Sequence, residues 1–113
     1  MLLKCIGDKM TRKILTGTCA CPGIVRGRIK NFIEGEKYSK KDIVILNQWV
    51  TQDVFKLQNA GALLSSLGGL TCHASILARE FNIPCLVAVK SLEDLPEGTI
   101  VEIDAANEEI KLL

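Results

Sequence analysis

The chain has 113 residues, 48% of them hydrophobic and 24% charged, with a formal net charge of +1. That length suits one domain with a modest core and not two. The near-neutral charge, the lack of a basic run and only 4% aromatics leave no electrostatic or stacking footprint for nucleic acid.

Residues 1–12 carry no clear hydrophobic period and read as an irregular lead-in, which places the folded domain at 13–113. Three apolar residues before Lys4 fall far short of a signal-peptide core. No apolar stretch approaches the roughly 20 residues that span a bilayer, so a cytoplasmic setting is expected.

Lys13 to Thr18 reads as a strand, Cys21-Pro22-Gly23 as a turn, and Ile24 to Lys30 as a second extended segment. Glu34 to Lys41 is a charged surface connection. Asp42-Ile43-Val44-Ile45-Leu46 is a continuous apolar run after its first residue, the pattern of a strand buried on both faces. Thr51 as N-cap and Asp53 in the first turn predict a helix, with Val54, Leu57 and Gly61 on one face and Gly61 as its stop.

Ala62 to Ser65 reads as another buried strand, followed by Gly68 and Gly69. The clearest helix spans Thr71 to Phe81. Ala74, Leu77, Ala78 and Phe81 form an i, i+3, i+4, i+7 stripe, with Ser75, Arg79 and Asn82 away from it. Asn82 stands where a left-handed residue ends a helix, Ile83 supplies the accompanying apolar contact, and Pro84 prevents continuation. Cys85 to Val89 is a buried strand, Pro96-Glu97-Gly98 a turn, and Thr99 to Ile103 a strand. A hairpin at Asp104 to Asn107 leads into Glu109 to Leu112. This order predicts a layered, mixed α/β domain.

Five cysteines, at 5, 19, 21, 72 and 85, are expected as free thiols in a reducing compartment. Cys19-x-Cys21 and one histidine do not make a zinc ligand set, so no metal is expected.

The chemistry concentrates at Gly68-Gly69-Leu70-Thr71-Cys72-His73, where a strand is followed by glycines that open onto a helix N-terminus, with His73, the only histidine, in the first turn of that helix. A helix N-terminus offers unpaired N–H groups and partial positive charge, and so holds anions. The same field disfavours imidazolium and keeps a nucleophilic nitrogen available at neutral pH. It also stabilises negative charge once that nitrogen carries a phosphoryl group, so one place favours nucleophile and intermediate alike. By residue type alone, a surface histidine, a Thr71 N-cap and a plain glycine turn account for the same letters.

Gly68 through Pro84 closely resembles the signature G-G-x-T-[SC]-H-A-[AS]-I-x-A-R-E-x-G-I-P of the PEP-utilising mobile domain. This is the swivelling phosphohistidine domain of phosphoenolpyruvate synthase, pyruvate phosphate dikinase and the first enzyme of the sugar phosphotransferase system. Cys21-Pro22-Gly23-Ile24-Val25-Arg26-Gly27 is similar to the S-P-G-x-x-x-G segment that opens that domain, and Glu97-Gly98-Thr99 to its closing D-G-x-x-V region. Thr51-Gln52-Asp53 matches the approach to its first helix.

The resemblance implies a swivelling β/β/α fold with His73 as phosphoacceptor. Gly68, Gly69, Cys72 and Ala74 would belong to the phosphate loop, and Thr71 would be a helix cap or a regulatory phosphorylation site. It implies partners as well: an ATP-grasp nucleotide-binding protein or subunit and a PEP/pyruvate-binding one. Mg²⁺ is expected in those partners, with no cofactor held by this chain. The expected role is a stand-alone phosphoryl carrier, incomplete as an enzyme by itself. The alternatives are a non-catalytic module that keeps the fold, and a thiol role for Cys72. The chain departs from the family pattern in having Ser66-Leu67 where an acidic residue is frequent. It also has Asn82, Ala88 and Ala105 where glycine is usual.

Overall fold

The structure is a computed structural model, and it describes residues 14–33, 36–47, 54–68 and 73–113. The lead-in expected at 1–12, the Thr51 and Asp53 helix start, and Gly69 to Cys72 lie outside the described residues.

Three short apolar runs form the centre: β4 (Asp42–Ile45), β5 (Ala62–Leu64) and β6 (Cys85–Val87). They pair in parallel, with Val44 opposite Leu63 and Leu63 opposite Cys85. β3 (Ile24–Asn31) adds in parallel beside β4, Arg28 opposite Asp42. On its other side β3 pairs antiparallel with β7 (Ile100–Asp104), which pairs with β8 (Glu109–Leu112). β1 (Ile14–Thr16) pairs with β8, and β2 (Thr18–Cys21) with β6. The strand order is therefore β1-β8-β7-β3-β4-β5-β6-β2.

The single strand expected over Lys13 to Thr18 is instead two strands divided at Gly17. β1 lies on one edge of the sheet and β2 on the other, so this glycine joins the two ends and the sheet closes on itself. A Cβ at Gly17 would stand 2.7 Å from a Val89 methyl and 2.8 Å from the Val87 carbonyl oxygen, a gap that only glycine fits.

Side-chain alternation divides the apolar runs between two cores. Ile43, Leu64 and Leu86 join Leu15, Ile29, Val101, Ile103 and Ile110 between the curled halves of the sheet. Val44, Leu63, Cys85 and Val87 face the other way, against α1 (His73–Phe81), through Ala74, Leu77 and Ala78. The layering is β/β/α, the mixed α/β architecture expected from the order of elements.

The first expected helix is a 3₁₀ helix, Val54–Asn59. Gly61 does not stop it in a left-handed conformation. It is required because a Cβ there would collide with the Lys40 carbonyl, while its N–H donates to the Asp42 carbonyl at 2.8 Å. In α1, Ala74, Leu77 and Ala78 are buried as the stripe predicts. Ser75, expected away from that stripe, is fully buried.

β6 ends at Val87 rather than Val89, because Ala88 turns the chain with a φ of 55°. A short 3₁₀ helix, Leu92–Asp94, was not evident in the sequence. Among the described residues no helix is long and apolar enough to cross a membrane.

Candidate functional site

In parallel sheets, ligand chemistry gathers beyond the carboxyl ends of the strands. Here Asn47 follows β4, Ser65 to Gly68 follow β5, and Ala88 follows β6, so three neighbouring strand ends meet at one edge. The chain leaving β5 next appears as His73, the first residue of α1.

Hydrogen bonds hold the start of this loop from both sides. Ser65 is fully buried, and its hydroxyl donates to Asn47 Oδ1 at 2.9 Å. The Ser66 N–H donates to the same oxygen at 2.9 Å. The Leu67 N–H donates to Ser65 Oγ at 3.0 Å. From the β6 side, Ala88 donates its N–H to the Leu67 carbonyl at 2.8 Å and Val89 donates to the Ser65 carbonyl at 3.0 Å. Beside Asn47 lies a cleft of about 240 Å³ bounded by Asn31, Ile45, Leu92, Glu93 and Leu95.

His73 is half-buried, and both ring nitrogens lie beneath the surface. The helix behind it is anchored at its far end by the Ile83 N–H, which donates to the Ala78 carbonyl at 3.0 Å, with Asn82 left-handed at φ 56°. That is the closure expected from Asn82-Ile83-Pro84. Close to its start, the buried Cys85 thiol donates to the Ala74 carbonyl at 3.8 Å. Leu67 before the loop and Ile76 one turn into the helix are both exposed.

Of the expected loop residues, Gly68 is exposed, and a Cβ there would meet nothing closer than the Ala88 Cβ at 3.9 Å. Ala74 packs its methyl into the core beneath the helix. Gly69, Thr71 and Cys72 lie outside the described residues. Asn47 and Ser65 are the site-proximal residues that sequence reading missed. Their signal is slight: a polar residue closing each of two buried apolar runs.

Cys19, Cys21 and Cys85 are free thiols. Partial burial, followed by the Glu108 carboxylate and Cys21, pushes the Cys19 thiol up and away from thiolate reactivity. Among the described residues no cluster of three or more His, Cys, Asp or Glu side chains could hold a metal ion.

Comparison with known proteins bears on the family and the fold. The family profile of the PEP-utilising enzyme, mobile domain, matches residues 38–108. A probable phosphoenolpyruvate synthase of Archaeoglobus fulgidus is 33% identical over 95 residues, which cover 80% of this chain and 13% of that protein. The chain thus spans a small part of the length of such relatives. Among solved structures, aconitase X of Thermococcus kodakaraensis superposes with a TM-score of 0.67 at 14% identity, over 89% of this chain and 98% of that one. An Enzyme I structure superposes with a TM-score of 0.52 at 21% identity, over 70% of this chain and 32% of that one. These likenesses establish the fold.

Proposed function

The chain belongs to the PEP-utilising enzyme mobile-domain family, and from that premise we propose that it is a phosphoryl carrier modified on His73. It relays the group between a nucleotide-binding partner of the ATP-grasp type and a PEP/pyruvate-binding partner, as in a PEP synthase-like system. The observation that carries this reading is the position of His73, the first residue of the helix that follows the β5 loop.

In the first step a neutral ring nitrogen attacks the donor phosphorus in line. An N–P bond forms as the P–O bond to the leaving group breaks, and the leaving oxygen keeps the electron pair. Backbone N–H groups at the helix start favour the added negative charge. In the second step an acceptor oxygen attacks the same phosphorus and the imidazole departs neutral. Gly68, Gly69, Cys72 and Ala74 supply the loop around the phosphoryl group. Thr71 would serve as a helix cap or as a regulatory site whose phosphorylation would repel an incoming donor and switch the carrier off. Mg²⁺ belongs to the partners, where it would neutralise the donor phosphates. The chain itself is a transferase component of a cytoplasmic system.

The test is incubation with labelled PEP or β-labelled ATP together with candidate partner subunits. Acid-labile, alkali-stable label that disappears in His73→Ala supports the carrier. Absence of label with every partner, or label that persists in His73→Ala, overturns it and leaves a binding or regulatory module.

A further inference from the structure

We propose that Cys21 and Cys85 form an oxidisable dithiol, closed to a cross-strand disulfide by exchange with a low-molecular-weight disulfide such as oxidised glutathione. The proposal is independent of whether His73 carries a phosphoryl group.

Three observations bring the two thiols together. Cys21 and Cys85 are register partners in the antiparallel β2–β6 pair. Residues opposite one another in such a pair have Cα atoms about 4.5–5.5 Å apart, inside the range of roughly 4.4–6.8 Å that a disulfide spans. Both side chains also lie in one core, the one against α1. A bulge gives them that shared face. The register shifts between Cys19 and Cys21, so Cys19 packs in the other core while Ala20 and Cys21 both turn toward α1. The third observation is that the pair is held on both flanks. Cys19 lies opposite Leu86 on one side. On the other, Gly23 sits so close to Pro84 that a Cβ on it would stand 2.5 Å from the proline Cγ.

Both residues are thiols in the structure, Cys85 fully buried and Cys21 7% exposed. β2 is a four-residue strand at the end of the strand order, with β6 as its neighbour. Local opening of so short an edge strand uncovers Cys21 first. The Cys21 thiolate then attacks one sulfur of the reagent. A new S–S bond forms as the reagent's own breaks, and one reagent thiolate leaves. The Cys85 thiolate attacks Cys21 Sγ in turn and expels the second. Two protein thiols thus give up two protons and two electrons, and the reagent disulfide takes them as two thiols. In the reduced chain the Cys85 thiol donates to the Ala74 carbonyl at 3.8 Å, in the first turn of α1. Oxidation withdraws that proton from the helix and fastens β2 to β6 covalently.

The test exposes the full chain, without denaturant, to buffers of graded oxidised-to-reduced glutathione ratio. The reaction is quenched in acid, remaining thiols are alkylated, and unreduced peptides are mapped by mass spectrometry. The expected product is a monomer lighter by two hydrogens, with the Cys21 and Cys85 peptides joined. Its melting temperature lies roughly 10 °C above that of the reduced chain and returns with dithiothreitol. Cys19→Ser retains the bridge, whereas Cys21→Ala and Cys85→Ala lose both the bridge and the shift. The wild-type peptide map decides by itself if either alanine variant fails to fold. A bridge to Cys5, Cys19 or Cys72 in place of this one overturns the proposal, as does a bridge that forms only in urea. Glutathione left bound at Cys21 without displacement, or a chain that stays reduced in excess oxidised glutathione, overturns it equally.

Discussion

The Ile83 N–H donates to the Ala78 carbonyl at 3.0 Å, and that bond closes the helix that begins at His73. It forms because Asn82 between them takes a left-handed φ of 56°, which few residues other than glycine and asparagine adopt at low cost. Asn82→Ala should lower the unfolding free energy by about 1 kcal/mol, and Asn82→Gly should leave it unchanged or raise it slightly. Urea denaturation of the three proteins measures the order.

Ala88 bears a strain that Asn82 avoids. Its φ of 55° puts a Cβ in the left-handed region, with its N–H committed to the Leu67 carbonyl. Ala88→Gly removes that strain while losing some chain stiffness, for a net gain of up to about 1 kcal/mol. A melting temperature below wild type would contradict this account of the β6 exit.

Two glycines should respond very differently. A methyl at Gly61 would drive into the Lys40 carbonyl, so Gly61→Ala should cost about 2–4 kcal/mol and shift the denaturation midpoint strongly. Gly68 has room for a Cβ, and Gly68→Ala should stay within about 0.5 kcal/mol of wild type. Any loss of His73 reactivity in Gly68→Ala would then report on the loop and not on folding.

What could be read from the sequence follows from how local each cause is. Ile43 to Ile45, Ala62 to Leu64 and Cys85 to Val87 are legible as strands because burial on both faces leaves an unbroken apolar run. The helix at 73–81 is legible because its stripe and its Asn82-Ile83-Pro84 ending are written within a dozen residues. The break at Gly17 is not, since it depends on where Val87 and Val89 arrive from 70 residues away. Asn47 is missed for the same reason: its partners sit on another strand, and nothing adjacent to it hints at them. Asn82 and Ala88, both at positions where the family favours glycine, turn out to be left-handed, whereas Ala105 is not.

Asp42 sets an acid limit on stability. It is almost fully buried, and burial pushes its carboxyl up. The Ser39 N–H at 2.9 Å and the Arg28 guanidinium at 3.1 Å outweigh this and hold it below the usual carboxylate range. A folded-state value depressed below the unfolded one, about 3.9, means the stabilisation is fully present above that pH and is lost as pH falls through the folded value. Stability measured by denaturant between neutral pH and pH 2 should therefore drop across that acid window in wild type. Asp42→Asn should be less stable at neutral pH and show a shallower acid limb.

The most direct measurement is the site of phosphorylation itself. After incubation with a phosphoryl donor and partner subunits, the protein is digested at alkaline pH and its peptides are sequenced by mass spectrometry. The account predicts one phosphoryl group on the peptide containing His73, stable in alkali and discharged by acid, and absent from His73→Ala. Phosphate found only on a serine or threonine, or none on wild type under conditions in which the partners turn over, would contradict it.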